Sequence, residues 1–350
     1  MGMVVYKLNG SNDDEIAIKK AGEALHAGKL VVFPTETVYG LGADAMNPSA
    51  VMKIFEAKGR PSDNPLIAHI NHQDMLSCLT GCVGSVEAKL MNAFWPGPLT
   101  IIFPKSEKVP LEVTGGTEYV AVRMPSNPAA QKVIYYANTP IVAPSANKSG
   151  KPSGTQVSDV VDELRDFVDI FLDAGSTDIG LESTVVKVQG GVPVVLRPGK
   201  ITPDDIKKIV GDVLIDDGVF KKHLSDAQVV SPGMKYRHYA PDCESVLVEG
   251  DNEKIKVGKI CEIIRQRYPQ KVVVMCANEN RESYASFENA IILPMGDYLD
   301  YDEISQNLFS LLRRAERFDP SLVLIECVPK EGLGIALMNR LIRACGYNIV

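Results

Sequence analysis

The sequence predicts an α/β protein made of two domains. Its 350 residues are more than one ordinary hydrophobic core accommodates. Short apolar runs that suit buried strands alternate with amphipathic stretches of helical period along most of the chain. This alternation stops at an unpatterned stretch that begins near Gly218, and then it restarts. We therefore predict domains at residues 1–217 and 244–350, joined by a linker at 218–243.

The N-terminal domain opens with a predicted helix, DDEIAIKKAGEALHAGK, which has an acidic start and ends near Gly28. The buried strand LVVF follows and stops at Pro34, and the helix PSAVMKIFEAKG has Gly59 after its end. STVVKV and PVVLRPG predict a hairpin around Gly190 and Gly191, and TPDDIKKIV predicts a capped helix. Between these elements the predicted order is strand LIAHI, helix VEAKLMNAFW, strands LTIIF and YVAVRM, helix PAAQKVIYYAN, strand PIVA, helix VSDVVDELRD and strand DIFLDAG.

The C-terminal domain alternates strictly between strand and helix. The predicted helices are NEKIKVGKICEIIRQRYP, YDEISQNLFSLLRRAERFD and GIALMNRLIRAC, and the strands are SVLVEG, KVVVMCA, AIILPMG and LVLIECV. Strict alternation predicts a small, Rossmann-like parallel sheet with helices on both of its faces.

Composition and charge exclude several classes of protein. No apolar run reaches the roughly 18 residues that a membrane span requires, and the N-terminus lacks the basic and apolar regions of a signal peptide. The seven cysteines form no disulfide framework, which indicates reduced thiols and a cytoplasmic protein. The formal net charge of −7 argues against broad, sequence-independent binding of nucleic acid.

The first loop with a chemical signature is PTETVYGLGADA, which follows the strand LVVF. Its hydroxyls at Thr35, Thr37 and Tyr39 could face a polar ligand. GLGADA fits the dinucleotide fingerprint G-x-G-x-x-A only weakly, because Gly40 lies seven residues beyond the strand. The simpler interpretation is a turn in which the glycines adopt special backbone angles.

Cations and polar groups are concentrated in a second segment, EAKGRPSDNPLIAHI. Lys58 and Arg60 lie at a helix end, where they could merely balance the helix dipole. Ser62, Asn64 and His69 follow at once, however, and cations beside amides and hydroxyls suit phosphate recognition. We expect Lys58 and Arg60 to lie in a surface loop.

A third segment, APSANKSGKPSGT, follows a buried strand and carries Ser145, Asn147 and Thr155. It resembles a phosphate-binding loop, but Pro152 stands where a Walker A sequence requires Ser or Thr. Elsewhere Arg123, Ser183 and Arg197 lie in VRMPSN, GLESTVV and LRPGK; ordinary ion pairs are the alternative for the two arginines.

These loops contain no Ser-His-Asp order and no activated cysteine, so the residues do not suggest covalent catalysis. The loops carry four cationic side chains and many hydroxyls: the cations are Lys58, Arg60, Arg123 and Arg197. This combination suits a site that binds a polyanion and a small polar molecule side by side. Such a site would act by positioning and by neutralising charge.

In this order the segments PTETVYGLGADA, KGRPSDNPL, WPGPLT, VRMPSN, PSANKSGKPSGT, ESTVV and LRPGKI resemble the threonylcarbamoyl-AMP synthase family with its YrdC-type catalytic domain. SPGMKYRHYAP and the smaller domain after it resemble the long, two-domain form. The resemblance implies a YrdC-like twisted mixed sheet with flanking helices and a concave basic cleft. It also implies the reaction of L-threonine, bicarbonate and ATP to threonylcarbamoyl-AMP and pyrophosphate, with Mg²⁺ accompanying ATP.

The same resemblance implies that a partner enzyme, a tRNA-modifying threonylcarbamoyl transferase, consumes the product, and weak tRNA contact is possible. It assigns catalytic roles to Lys58 and Arg60, and no protein side chains to the metal. The residues expected to bind ATP are Lys58, Arg60, Ser62, Asn147, Thr155, Arg197, Arg237 and Tyr239. The residues expected to bind threonine are Thr35, His69, Arg123, Ser145 and Ser183.

The cationic and aromatic cluster in SPGMKYRHYAP predicts that the linker also covers the active site. Pro232 and Gly233 allow a sharp change of direction, and Tyr236 and His238 would lie across the mouth of the cleft. A linker that its aromatic side chains merely fix to the protein surface is the alternative.

Three other functions remain open from the sequence. A double-stranded RNA-binding module would use the same basic face, although the acidic total favours a nucleotide ligand. A hydrogenase-maturation carbamoyltransferase would require CxxC zinc fingers and an acylphosphatase domain, which this sequence lacks. A non-catalytic regulator that binds a nucleotide is the third.

Overall fold

The computed structural model describes residues 3–221 and 239–350. These residues form two compact units. The first unit comprises residues 3–149 and 153–221, and the second comprises residues 150–152 and 239–350. The chain therefore enters the second unit briefly at Gly150–Pro152, in the middle of the segment APSANKSGKPSGT, and this the sequence did not indicate.

The first unit is built on a mixed sheet of 11 strands. Their order across the sheet is β1-β8-β2-β3-β7-β4-β6-β5-β9-β10-β11. The strands are β1 (Val4–Lys7), β2 (Val31–Phe33), β3 (Gly40–Asp44), β4 (Ile67–His69), β5 (Leu99–Pro104), β6 (Tyr119–Arg123), β7 (Ile141–Val142), β8 (Ile170–Asp173), β9 (Thr184–Gln189), β10 (Val192–Arg197) and β11 (Leu214–Ile215).

Capping residues mark the ends of two helices of the first unit. The side chain of Asn47 accepts a hydrogen bond from the Ala50 N–H at the start of α2, and Gly59 ends this helix with φ of 60°. Thr202 and Asp205 form the capping box predicted for α8. The helices are α1 (Asn12–His26), α2 (Pro48–Lys58), α3 (Leu76–Leu79), α4 (Ser85–Phe94), α5 (Leu111–Thr114), α6 (Pro128–Ala137), α7 (Val161–Leu164) and α8 (Pro203–Val210).

Apolar side chains are buried on both faces of this sheet. In β2, Val31 and Phe33 pack into one core cluster with α1 and α6, whereas Val32 packs into another that includes residues of α2 and α4. Successive residues of a strand point to opposite faces, so a wholly apolar strand such as VVF fits a sheet covered on both sides.

The structure tests the predicted hairpin around Gly190 and Gly191 and the turn expected within GLGADA. The hairpin is confirmed: β9 and β10 pair antiparallel, with positive φ at Gly190 and Gly191. The turn predicted within GLGADA is wrong, because Gly40–Asp44 is strand β3, paired antiparallel with β2. Gly42 is required there for packing, since a Cβ at this position would lie 2.7 Å from the Phe33 ring.

The second unit contains a four-stranded sheet in the order β12-β15-β13-β14, and every pair in it is parallel, as the alternating pattern predicts. Its strands are β12 (Ser245–Val248), β13 (Val272–Ala277), β14 (Ala290–Gly296) and β15 (Leu322–Glu326). Its helices are α9 (Glu253–Arg267), α10 (Arg281–Tyr284), α11 (Tyr301–Glu316) and α12 (Gly334–Ala344). The α/β class with a large mixed sheet and a smaller parallel sheet is thereby confirmed. The predicted domain limits stay predictions, because residues 222–238 lie outside the described part of the chain.

Candidate functional site

Three polar side chains of the first unit occupy one row across the middle of the large sheet. His69 on β4 is the cross-strand neighbour of Arg123 on β6, and Arg123 is the cross-strand neighbour of Thr100 on β5. Residues directly opposite each other on paired strands point to the same face. All three are buried, with 3% of His69, 3% of Arg123 and 0% of Thr100 exposed.

His69 is held neutral by its surroundings. Burial, together with the positive charge of Arg123, lowers the pKa of His69 to about 3. Its Nδ1 lies 3.1 Å from the Ile67 carbonyl oxygen. A neutral imidazole that donates from Nδ1 keeps its Nε2 lone pair as a hydrogen-bond acceptor.

Arg123 links the sheet to the loop that follows β2. Its Nη2 lies 2.6 Å from Glu36 Oε1, and both side chains of this ion pair are buried. Its Nη1 donates to Thr37 Oγ1 at 2.8 Å, and its Nε donates to the Gly97 carbonyl at 3.3 Å. Burial opposes ionisation of Glu36, but the adjacent guanidinium outweighs it and holds the pKa of Glu36 below its usual range.

The hydroxyls of Thr37 and Thr35 continue this network. Thr35 Oγ1 donates to the Val38 carbonyl at 2.6 Å and lies 2.8 Å from Thr37 Oγ1. Because Thr35 uses its proton on Val38, Thr37 is the donor between the two hydroxyls. Hydrogen bonds therefore run in one direction from Arg123 through Thr37 to Thr35.

Thr100, Ser183 and Arg197 form a second network beside the first. Thr100 Oγ1 lies 2.7 Å from Ser183 Oγ, and Arg197 Nη2 donates to the same Ser183 hydroxyl at 3.1 Å. Arg197 also donates to the Ser183 carbonyl from Nε and Nη2. Gly199 permits this approach, because a Cβ there would lie 2.5 Å from Thr184 N and 2.7 Å from the Glu182 carbonyl oxygen.

Lys58 brings together a third group. Its Nζ donates to the carbonyls of Ser145 and Asn147, each at 2.5 Å, and Ser145 Oγ donates to Asn147 Oδ1 at 2.6 Å. Ser145, expected with threonine, therefore lies beside Lys58 and Asn147, which were expected at ATP. The expectation that Lys58 and Arg60 lie in a surface loop is wrong. They are only 2% and 9% exposed, because Lys58 turns inward onto a neighbouring loop and Arg60 donates to the Asn64 and Pro65 carbonyls.

The remaining predicted residues of the first unit lie around these groups. Ser62 is exposed in the turn that follows Arg60. Thr155 is 3% exposed, and its carbonyl accepts a hydrogen bond from Thr177 N–H at 3.1 Å. Two residues before it, Ser153 Oγ donates to Glu182 Oε1 at 2.5 Å, and both side chains are buried.

Backbone hydrogen bonds join the loop that follows β2 to the loop that carries Ser145, Asn147 and Thr155. Tyr39 is the meeting point: its N–H donates to the Gly154 carbonyl at 3.0 Å, and its carbonyl accepts from Ala146 N–H at 2.7 Å. The Tyr39 hydroxyl donates to the Gly175 carbonyl and accepts from Ala174 N–H, and burial raises its pKa. Thus Tyr39 fixes the loops, and its hydroxyl is already engaged by backbone groups.

Of the four site residues predicted in the linker, the structure describes Tyr239 alone. Its ring is 4% exposed in the second unit and stacks on Phe309 with a centroid separation of 5.2 Å. Tyr236, Arg237 and His238 lie outside the described residues. Their expected roles, and the ATP contact expected of Tyr239, stay predictions.

Sequence reasoning missed two buried side chains of these networks, Glu36 and Thr100. Glu36 lies inside a segment quoted for other residues. Thr100 sits in an apolar strand, LTIIF, and only its pairing opposite Arg123 reveals it. Chemically, the three groups offer buried cations, a neutral imidazole acceptor and several hydroxyls, which can bind anions and a small hydroxylated or amino ligand.

Within residues 3–221 and 239–350, no group of three or more His, Cys, Asp or Glu side chains is arranged to hold a metal ion. No helix in the same part of the chain is long and apolar enough to cross a membrane.

Comparison with protein families matches nearly the whole chain. A family model described as "Telomere recombination" matches residues 23–199. A second, described as "Threonylcarbamoyl-AMP synthase, C-terminal domain", matches residues 201–346.

Individual relatives agree over their full lengths. A curated Pyrococcus abyssi protein named threonylcarbamoyl-AMP synthase is 44% identical over 339 residues, covering 96% of each chain. A Bacillus subtilis protein of the same name is 40% identical over 346 residues, covering 97% of this chain and 95% of its own. The crystal structure of P. abyssi Sua5 complexed with L-threonine superposes with a TM-score of 0.91 at 42% identity, covering 100% of this chain and 99% of that one. A variant of that protein with a histidine and the next residue, a tyrosine, changed to alanine gives a TM-score of 0.92 at 41% identity, covering 99% and 98%.

Proposed function

The chain belongs to the threonylcarbamoyl-AMP synthase family, and we propose how its first unit carries out that synthesis. The reaction joins L-threonine, bicarbonate and ATP into threonylcarbamoyl-AMP and releases pyrophosphate. The observation that carries the residue assignment is the pair of adjacent hydrogen-bonded networks, one from Arg123 to Thr35 and one from Thr100 to Arg197.

We place L-threonine at the row formed by His69, Arg123 and Thr100, with Thr35 and Ser183 beside it. Arg123 would hold the substrate carboxylate, and Glu36 would keep the guanidinium in place through their buried ion pair. Neutral His69 offers an acceptor for the substrate amine without adding a repelling positive charge. The relative solved with L-threonine bound has the same fold over the whole chain, which supports a threonine site.

We place ATP on the neighbouring groups. Lys58 and Arg60 carry positive charge into the buried part of the site, and Arg197, which donates to Ser183, supplies a third buried cation. Asn147 and Ser145 share the network of Lys58. Ser62, Thr155, Arg237 and Tyr239 complete the proposed set.

The chemistry then needs no nucleophile from the protein. Bicarbonate gives CO2 by losing hydroxide, and the nitrogen of the threonine amine forms a bond to the CO2 carbon. The amine proton combines with the released hydroxide as water, which leaves an N-carboxylate. An oxygen of this carboxylate forms a bond to the α-phosphorus of ATP while the bond from that phosphorus to the bridging oxygen breaks, and pyrophosphate leaves with the electron pair. Lys58, Arg60 and Arg197 stabilise the charge that develops on the phosphate oxygens.

Mg²⁺ belongs to this proposal as a companion of ATP. Mg²⁺ retains several water ligands and is commonly held by substrate phosphates with only one or two carboxylates from the protein. When bound, it would neutralise phosphate charge beside the same cations.

The linker cover also remains a proposal. Tyr239 packs on Phe309, so changing it would disturb the core of the second unit as well as any cover. The suitable variant is therefore Tyr236→Ala with His238→Ala, compared with the full chain. A cover predicts a lower yield of threonylcarbamoyl-AMP with unchanged thermal unfolding; an unchanged yield would leave a simple linker.

The product is a reactive mixed anhydride, so an enzyme must consume it. We propose that a tRNA-modifying threonylcarbamoyl transferase receives it, and that contact of this chain with tRNA is weak. The net charge of −7 supports weak rather than broad binding to nucleic acid.

The function is tested by supplying isotopically labelled bicarbonate with L-threonine, ATP and Mg²⁺, and identifying labelled threonylcarbamoyl-AMP by mass spectrometry. Label should appear only when all three substrates are present. Tight binding of double-stranded RNA without product would instead favour an RNA-binding module. ATP binding without product would favour a regulator.

A further inference from the structure

The loop that carries Ser145, Asn147 and Thr155 is bound on both sides by residues of the first unit. On the entering side, Ser149 N–H donates to the Lys58 carbonyl at 2.8 Å, and Lys148 Nζ donates to the Ala57 carbonyl at 2.6 Å. On the returning side, Ser153 bonds to Glu182, and the Gly154 carbonyl accepts from Tyr39. Both sides therefore end on parts of the proposed site.

The middle of this loop, Gly150–Pro152, belongs to the second unit. Gly150 has φ of 92°, a backbone angle that favours glycine, and its carbonyl accepts a hydrogen bond from Ala240 N–H at 3.0 Å. Arg313 on α11 donates from Nη2 to the Pro152 carbonyl at 2.5 Å. Backbone and side-chain groups of the second unit thus hold this segment at its start and at its end.

Arg313 is suited to hold the backbone of residues 150–152 in place. It is only 8% exposed, and a hydrogen bond from a buried guanidinium to a carbonyl is charge-assisted and therefore strong. It lies one helical turn after Phe309, on which Tyr239 stacks, so its own helix is anchored in the core. The acceptor carbonyl belongs to the peptide bond that leads directly into Ser153.

Lys151 adds a weaker, charged contact to the same segment. Its Nζ lies 3.5 Å from Asp242 Oδ2 and 3.7 Å from Glu316 Oε1. The Lys151 side chain is 35% exposed, so solvent screens these pairs and they contribute little. The buried hydrogen bond from Arg313 is the stronger of these two side-chain contacts.

We propose that Arg313 is a positioning residue for ATP in the synthase reaction, acting through the Pro152 carbonyl. It sets the course of residues 150–152, and through them the placement of Asn147 on one side and Ser153 and Thr155 on the other. The proposal rests on the proposed function, because it assumes that this loop holds ATP.

The test compares Arg313→Met with Arg313→Lys and with the matched control Arg314→Met. Arg314 is the exposed neighbour on α11 and has no part in the proposed site. Methionine keeps much of the side-chain volume but removes the donors, and lysine restores one donor. We expect Arg313→Met to lower kcat/KM for ATP by on the order of 100-fold, through a higher KM, a lower kcat or both. Small misplacements of a positioning group have effects of this size.

In Arg313→Met, the KM for L-threonine should change little. Arg313→Lys should recover part of the lost kcat/KM for ATP. Arg314→Met should have the same kinetics as the unchanged chain. Hydrogen exchange supplies a readout independent of activity. Amides of residues 149–155 should exchange faster in Arg313→Met, whereas those of β9 and β10 should not.

Equal kinetics and equal exchange in Arg313→Met and the unchanged chain would overturn the proposal. An equal loss toward ATP and L-threonine, with faster exchange throughout, would also overturn it and indicate a role in stability alone. If Arg313→Met does not fold, Lys151 offers a second test, because it pairs with Asp242 and Glu316. Lys151→Glu should lower kcat/KM for ATP by a smaller factor than that expected for Arg313→Met. Adding Glu316→Lys restores an opposite charge and should recover part of that kcat/KM. An unchanged chain that makes no product would contradict the proposed function, while the exchange result would still decide whether Arg313 holds the loop.

Discussion

At the scale of single residues, the site contains charges that are buried together with groups that hold them in place. Arg123 shows this most clearly, because all three of its nitrogens have a partner: Glu36, Thr37 and the Gly97 carbonyl. Its carboxylate partner keeps it oriented, and its position opposite His69 and Thr100 sets which face it occupies.

Lys58→Met should lower kcat/KM for ATP by roughly 100-fold or more, because one charge that stabilises the phosphates is removed. It should also lower the unfolding temperature, since the carbonyls of Ser145 and Asn147 lose their buried partner. Enzyme kinetics and calorimetry measure the two effects. Lys207→Ala, an exposed lysine on α8, is the control. Full activity in Lys58→Met would exclude it from the ATP site.

The neutral state of His69 makes stability depend on pH. Below about pH 6.5 the unfolded chain takes up a proton at this histidine, whereas the folded chain does not until the pH approaches 3. The free energy of unfolding should therefore fall as pH falls through this range, by up to about 1.4 kcal/mol per pH unit. Above pH 6.5 this contribution is constant.

Urea denaturation between pH 7.5 and 5 measures that slope, and His69→Gln should reduce it. His72→Gln removes an exposed imidazole and serves as the control. Equal slopes in His69→Gln and the unchanged chain would show that His69 titrates normally in the folded protein.

Substrate choice follows from the proposed threonine site, which includes the buried hydroxyls of Thr35 and Ser183. Valine lacks the hydroxyl of threonine and would leave a buried partner unsatisfied, so it should be rejected by a factor of up to about 10⁴. Serine lacks only a methyl group and should be disfavoured by roughly 10- to 200-fold. Measurements of kcat/KM for the three amino acids test this, and comparable values for valine and threonine would refute the assigned pocket.

At the scale of elements, most strands and helices follow from local pattern, whereas their partners do not. Capping residues and glycines mark the ends of α2 and α8, and both helices occur where predicted. Strand β3 was missed because glycines usually indicate a turn; its strand conformation depends on pairing with β2 and on the Phe33 ring, which no local window contains. Thr100 was missed for the same reason, since its partner Arg123 is 23 residues away in sequence and adjacent only in the sheet.

Gly199 gives a prediction at this scale. Gly199→Ala should lower stability and activity together, because its Cβ would lie 2.5 Å from Thr184 N. Relieving this clash requires the backbone at residue 199 or at Thr184 to move, which costs free energy. The strain would separate β10 from the segment before β9 and weaken the contact of Arg197 with Ser183. Thermal unfolding and the rate of product formation measure both effects. Gly81→Ala, where an added Cβ meets nothing within 4 Å, should behave like the unchanged chain.

At the scale of the whole molecule, the sequence and its family resemblance predicted an α/β fold with a large mixed sheet and a smaller parallel sheet, and both sheets are present. The segments expected to form the site stay a prediction. The sequence could not predict that Gly150–Pro152 belongs to the second unit, because contacts between distant segments leave no trace in local composition. The sequence also predicted that Lys58 and Arg60 are exposed, because charged residues usually are. They are buried, since each donates hydrogen bonds to backbone carbonyls that only the folded chain brings near it.

The central claim is that the chain activates a carboxylated L-threonine with ATP. Exchange of labelled pyrophosphate into ATP tests it most directly, because exchange requires reversible formation of the adenylate. We expect exchange only when L-threonine and bicarbonate are both present, and its loss in Arg123→Ala and Arg197→Ala. Exchange that proceeds without L-threonine or without bicarbonate, or no exchange with all substrates present, would contradict the claim.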